Sequence, residues 1–133
     1  MIVYLDSNIV MYLVENRPLW GPRTAARIAA LHAGGDVLAV SHLTRLECRV
    51  KPIKSGDAVL LADFDAFFNA PGLHVLSLTA GVCDRATDLR AKHNFKTPDA
   101  LHLAAAIVHG CDRFLTNDAR LNACTDIAVE VLP

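Results

Sequence analysis

Residues 2 to 5, Ile-Val-Tyr-Leu, form a short apolar run rich in β-branched and aromatic side chains, and the run stops at Asp6. Apolar residues at helical spacing begin immediately afterwards in SNIVMYLVEN. An abrupt change of period from strand to helix, with an acid at the junction, marks a buried strand feeding straight into a helix. The same change recurs along the chain. DVLAVS reads as a second strand, followed by a helix around LTRLECRV; HVLSL, RFLTN and IAVEVL read as the third, fourth and fifth. Between them, helical patterns cover Trp20 to His32, which stops at Gly34-Gly35, then AVLLADFDAFFN, Thr79 to His93, and a helix that opens at KTPD and closes at Gly110. KPIKSGD, with Pro52 and Gly56, reads as a loop. Short strands alternating with helices predict an α/β, three-layer sandwich with a mostly parallel twisted sheet of about five strands.

Bulk properties narrow the class. A chain of 133 residues is expected to form a single domain over residues 1–133, burying about two-thirds of its unfolded surface. Hydrophobic residues make up 53% and the mean hydropathy is +0.30, yet polar residues interrupt every apolar run well before the roughly 18 residues of a membrane span. The N-terminus lacks a basic leader region and carries Asp6 where a signal peptide would be apolar, so a cytoplasmic location is expected. Cys48, Cys83, Cys111 and Cys124 are far apart, without CxxC pairs or suitably spaced histidines, and read as reduced thiols. A formal charge of −1 argues against nucleic-acid binding by bulk electrostatics alone.

Most of the eleven Asp and three Glu read as solvated charges; four are placed differently. Asp6 ends the first strand, and Asp118 follows the fourth in FLTND. Glu47 lies one turn into the helix after the second strand, and Asp99 lies in the first turn of the helix before the fourth. In an open parallel sheet ligands bind beyond the carboxyl ends of the strands, and all four acids are expected to converge on that rim. Singly, each has a structural role: Asp6 and Asp118 as caps, Glu47 as a partner of Arg45 or Arg49, and Asp99 as a first-turn charge behind a Thr97 cap and Pro98 at the first helical position. Jointly they are costly, because two like charges about 5 Å apart repel by roughly 3 kcal/mol at an effective dielectric near 20. A divalent, oxygen-loving cation such as Mg²⁺ turns that repulsion into attraction and suits phosphodiester hydrolysis. Competing strand-end chemistries lack their second residues: Asn8 stands where a phosphoaspartate hydrolase needs an acid, and no Gly-rich phosphate loop, nucleophile elbow or HExxH stretch occurs.

The order of these acids, carried by YLDSN, SHLTRLECRVKPIKSGD, KTPDALHLAAA and FLTND, resembles the PIN-domain ribonucleases, and within them the VapC-type toxins of bacterial toxin-antitoxin pairs. The resemblance spans essentially the whole chain. It implies a metal-dependent endoribonuclease using Mg²⁺ or Mn²⁺, with the family's acids falling on Asp6, Glu47, Asp99 and Asp118. It also matches Thr116 to the hydroxyl residue that supports the acids, and Asn8 to the polar residue just past the first. The implied partners are an RNA substrate, a cognate antitoxin protein and a second copy of the chain in a homodimer.

Beyond the acids, Arg45, Arg49, Lys51 and Lys54 form the densest basic stretch, either a solvated face or a grip on an RNA backbone. Tyr12, Trp20 and the three phenylalanines Phe64, Phe67 and Phe68 are candidates for base stacking, although core or dimer packing suits the phenylalanines better. His102, three residues after Asp99, reads as a packed helix residue rather than a ligand. A non-catalytic reading stays open: a module that binds RNA or an antitoxin-like partner, its acids docking a basic tail.

Overall fold

The computed structural model describes residues 1–133 and contains one five-stranded sheet in the order β3-β2-β1-β4-β5, with every neighbouring pair parallel. The strands are β1 (Ile2–Leu5), β2 (Val37–Ser41), β3 (His74–Leu76), β4 (Arg113–Thr116) and β5 (Ala128–Val131). Six α-helices connect or follow them: α1 (Ser7–Glu15), α2 (Trp20–Ala33), α3 (His42–Ser55), α4 (Ala58–Phe68), α5 (Ala80–His93) and α6 (Thr97–Val108). A short 3-10 helix covers Ala119–Ala123. The third strand is shorter than HVLSL suggests, because only His74 to Leu76 pair with β2.

Two apolar clusters, one on each face of the sheet, make the three layers. Successive residues of a strand point to opposite faces. Tyr4 accordingly packs with Val82, Leu89, Leu103 and Phe114 in one cluster, while Val3 and Leu5 pack with Ile9, Ile28, Leu31 and Phe64 in the other. The first cluster is covered by α5 and α6, the second by α1 to α4. Phe64 and Phe68 are buried and Phe67 packs against them, so these rings belong to the core. Tyr12 and Trp20 stack on each other at 5.7 Å. All four cysteines are free thiols, and burial pushes Cys48 up to about 12. No helix is long and apolar enough to cross a membrane.

Two boundaries differ from the sequence reading. The segment KPIKSGD is not a loop: α3 runs through Pro52 to Ser55 and ends at Gly56, whose φ of 70° is the left-handed cap that glycine tolerates. Proline removes one helical hydrogen bond, and here its ring is buried, four residues after buried Cys48. At the start of α6, Lys96 rather than Thr97 takes the cap position, and it makes no side-chain cap bond. Pro98 therefore sits one place further in, still among the first-turn positions whose N–H groups have no helical partner.

The far edge of the sheet is tied to α2 by a carboxylate shared between two guanidinium groups. Glu130 accepts from Arg27 Nε at 2.6 Å and Nη2 at 2.9 Å, and from Arg113 Nη1 at 2.9 Å. These contacts hold its carboxyl below the usual glutamate range despite partial burial. A depressed acid stabilises the fold above its unfolded pKa, and that stability is lost as pH falls through the lower folded value. Replacing Glu130 with Gln is expected to lower stability by about 1 kcal/mol at neutral pH. In urea titrations the gap between the two proteins should close as pH drops below the ordinary glutamate value of 4.5; a gap independent of pH would refute the assignment.

Candidate active site

Asp6 is the best-anchored acid. Its backbone N–H donates to the Leu115 carbonyl at 2.9 Å, extending the contact between β1 and β4 by one residue. Its carboxylate then receives the Ser7 backbone N–H at 2.8 Å on Oδ1 and the fully buried Thr116 hydroxyl at 2.7 Å on Oδ2. Asn8 adds a long contact from Nδ2 to Oδ2 at 3.5 Å, while its Oδ1 accepts from the Asn117 N–H at 3.3 Å. The cap role and the site role thus coexist, and the carboxylate is 5% exposed as a residue. Thr116 turns the other way too, accepting the Asp118 N–H at 3.0 Å.

Asp99 and Asp118 lie near this anchor. Burial, then the negative charges of Asp6 and Asp118, push the Asp99 carboxyl above the usual aspartate range. Asp118 is pulled the opposite way by Arg120, whose fully exposed guanidinium grips both carboxylate oxygens, with Nη2 to Oδ2 at 2.6 Å. Asp118 also accepts the Arg120 backbone N–H at 3.0 Å, capping the 3-10 helix. Beside Asp99 opens a recess of about 250 Å³ whose lining includes Asn94, Phe95, Lys96 and Arg120.

Glu47 is held by neither Arg45 nor Arg49. Its Oε1 accepts from the Ser7 hydroxyl at 2.7 Å and lies 2.5 Å from His102 Nε2. His102 is buried, 1% exposed, and its Nδ1 lies 2.7 Å from the Tyr4 hydroxyl, which donates to Ser41 Oγ at 2.8 Å. Burial pushes the Glu47 carboxyl up, but the hydrogen bond and charge of His102, with the Ser7 hydroxyl, outweigh it and hold the group below the usual range.

The four acids therefore share the carboxyl-terminal rim in unequal states. Asp99 feels the charges of Asp6 and Asp118, whereas Glu47 faces His102 and Asp118 faces Arg120. In this arrangement no three His, Cys, Asp or Glu side chains converge closely enough to enclose a cation. A hexahydrated-type ion such as Mg²⁺ needs fewer, commonly one or two carboxylates with water completing the shell. An all-oxygen donor set, with one carboxyl displaced upwards by its neighbours, fits such a hard cation.

The basic stretch divides. Arg49 is paired with Asp65 at 2.9 Å and Lys51 with Glu15 at 3.2 Å, while Arg45 and Lys54 make no ion pair. Arg45, Arg49 and Lys54 instead flank a recess of about 500 Å³ on α3, along an exposed stripe of Leu46, Val50 and Ile53. Sequence reasoning passed over the buried polar chain from Tyr4 through His102, and over Arg120. The only trace of the first was the three-residue spacing of Asp99 and His102, which the apolar character of α6 outweighed.

A five-stranded parallel sheet with helices on both faces and a cluster of acids beyond the ends of its central strands defines an α/β protein with an acidic rim site. The PIN domain model matches residues 3–126, and the chain belongs to the PIN-domain family. Solved structures similar to it include VapBC2 from Rickettsia felis bound to a promoter DNA fragment, at 19% identity and a TM-score of 0.83, covering 100% of both chains. VapC20 from Mycobacterium tuberculosis, a sarcin-ricin loop cleaving toxin, is 17% identical with a TM-score of 0.76, covering 98% of this chain and 99% of that one. A toxin-antitoxin complex from Klebsiella pneumoniae is 21% identical with a TM-score of 0.69, covering 98% of each. At these identities the likeness is one of fold. Among curated proteins none matches the sequence.

The crowding of acids has a measurable cost. An acid whose folded pKa is raised destabilises the fold progressively as pH rises through its titration. In metal-free buffer at neutral pH, Asp99→Asn is therefore expected to raise stability by about 1 kcal/mol, or roughly 2–6 °C in Tm. The advantage should disappear below the ordinary aspartate value of 3.8. A variant less stable than the parent in EDTA would show that Asp99 serves the fold first.

Proposed function

We propose that this chain is a metal-dependent endoribonuclease and the toxin of a toxin-antitoxin pair, hydrolysing RNA phosphodiester bonds at the acidic rim. The observation that carries this reading is the gathering of Asp6, Glu47, Asp99 and Asp118 at one rim, where burial and the charges of Asp6 and Asp118 push the Asp99 carboxyl above the usual range, a cost that a bound cation would relieve. Membership of the PIN family and the likeness in fold to a sarcin-ricin loop cleaving toxin support it.

Asp6 and Asp99 are assigned as the principal holders of Mg²⁺ or Mn²⁺, with Glu47 and Asp118 completing the site through water or a second ion. When bound, such a cation lowers the pKa of a coordinated water and offsets charge on the phosphate oxygens. Thr116, Asn8 and the Ser7 backbone N–H fix the Asp6 carboxylate and leave its orientation little freedom. Lys96 and Arg120 bring positive charge to the recess beside Asp99, where an RNA backbone would approach. Arg120 must exchange its hold on Asp118 for a phosphate contact if Asp118 is to face the cluster. Arg45 and Lys54 are further candidates for backbone contacts.

The exposed Leu46, Val50 and Ile53 stripe, edged with cations, supports a protein partner. The Klebsiella pneumoniae complex supports taking that partner to be an antitoxin; a homodimer and a cytoplasmic setting are part of the same proposal. One observation favours a second reading, a non-catalytic module that docks a basic peptide: Asp118 is already gripped by a guanidinium.

Purified protein is expected to cleave a structured RNA in Mg²⁺ or Mn²⁺ and to stop in EDTA. Asp99→Asn should cut more than about 100-fold more slowly while its circular dichroism is unchanged. Parental cleavage by the Asn variant would remove Asp99 from catalysis. Tight binding of a basic partner peptide without cleavage of any RNA pool would select the docking module.

A further inference from the structure

The Glu47 carboxylate is asymmetric. Both of its protein contacts, from Ser7 and from His102, fall on Oε1, and Oε2 has no hydrogen-bond partner. A partly exposed glutamate with its long side chain would otherwise sample several rotamers. Here two donors fix one oxygen and turn the other free. The donors come from different elements, Ser7 from the first turn of α1 and His102 from α6.

His102 is itself fixed from behind. Its ring meets the Tyr4 ring edge-on at 5.8 Å, and Nδ1 lies on the Tyr4 hydroxyl. Tyr4 is wholly buried on the central strand and stacks on Phe114 at 5.3 Å. Its oxygen also meets Ser41 and Thr44, the two residues of the capping box that starts α3, one turn before Glu47 on that same helix. The chain Ser41, Tyr4, His102, Glu47 thus leaves α3 at its cap, crosses β1 and α6, and returns to α3 at the acid. Every member except Glu47 is buried.

We propose that His102, oriented by Tyr4, is a positioning residue that presents Glu47 Oε2 to the cation site. The inference rests on the functional reading above in taking that site to hold Mg²⁺ or Mn²⁺. It goes beyond that reading in giving a buried histidine and tyrosine, neither of which faces the rim, control over one ligand. Partners of this type orient metal ligands, and losing one typically weakens metal affinity or activity by about 10–100-fold.

Three substitutions at one position separate positioning from bulk. His102→Gln can place an amide N–H near where Nε2 meets Glu47, His102→Asn reaches only the Nδ1 side toward Tyr4, and His102→Leu reaches neither. Manganese affinity is measured by calorimetry on the full chain without RNA, and turnover is measured separately with RNA. The Leu and Asn variants should bind Mn²⁺ about 10–100-fold more weakly and lose kcat with little change in KM, whereas Gln recovers most of both. Tyr4→Phe keeps the histidine but frees its ring, and should weaken Mn²⁺ binding by a smaller factor.

Equal Mn²⁺ constants across the parent and the three His102 variants would overturn the proposal, as would a Gln variant no better than Leu. If Leu fails to fold, the contrast of Gln with Asn decides by itself. A parent that binds Mn²⁺ but cuts no RNA would fell the nuclease reading, yet the ratio of Mn²⁺ constants would still judge His102. No Mn²⁺ binding by the parent would overturn both.

Discussion

The site depends on one backbone contact at the middle of the sheet. Asp6 lies just past β1, yet its N–H still donates to Leu115 on β4. This extension places the Asp6 carboxylate beside Thr116, the last residue of β4, whose hydroxyl donates to it and accepts from Asp118. Because β1 is central and parallel to both neighbours, the carboxyl ends of β1, β2 and β4 open on one rim. Helices α1 and α3 start there directly, and α6 brings its first turn to the same edge. The rim is built from strand ends and first turns of helices, which are rigid because the layers on both faces are closely packed.

Charge is distributed unevenly over this rigid frame, and the unevenness separates roles. Asp6 is satisfied by neutral donors that fix its geometry without cancelling its charge. Glu47 and Asp118 each face a donor able to carry positive charge, His102 and Arg120, and both are held below the usual carboxylate range. Asp99 has no such partner at contact distance and is pushed above it. A fold under selection for stability alone would not collect these groups at one edge. Sites that carry a local cost of this kind are stabilised elsewhere, here by two apolar clusters that enclose the sheet on both faces.

The buried polar chain behind Glu47 shows how one residue serves two layers. Tyr4 contributes its ring to the apolar cluster under α5 and α6 and its hydroxyl to the network under the rim. Most buried polar groups in folded proteins make their hydrogen bonds, and this network closes on itself through Ser41, Thr44, Ser7 and Glu47. Orientation of the acid and integrity of the core are therefore coupled.

Much of this was legible in the order of residues. Period changes at Asp6 and after Ser41 located two strand-helix junctions, and KTPD marked the start of a further helix, because apolar spacing reports which face is buried. The acids at those junctions followed from the geometry of parallel sheets, which exposes strand ends at one rim. Pro52 misled because a proline's effect depends on whether its ring is buried, a property of packing rather than of sequence. His102 is the packed helix residue its neighbours suggest, but its bonds were not legible, because a histidine amid Leu and Ala on a core helix has the same sequence appearance whether its nitrogens are idle or bonded. By itself, then, the sequence determined the alternation of elements and the placement of four carboxylates at their ends, since both are set by short-range periodicity. Only the tertiary structure decided which nitrogen meets which oxygen: Tyr4 and His102 lie 98 positions apart, and a 2.7 Å contact between them exists only once α6 has packed against the sheet.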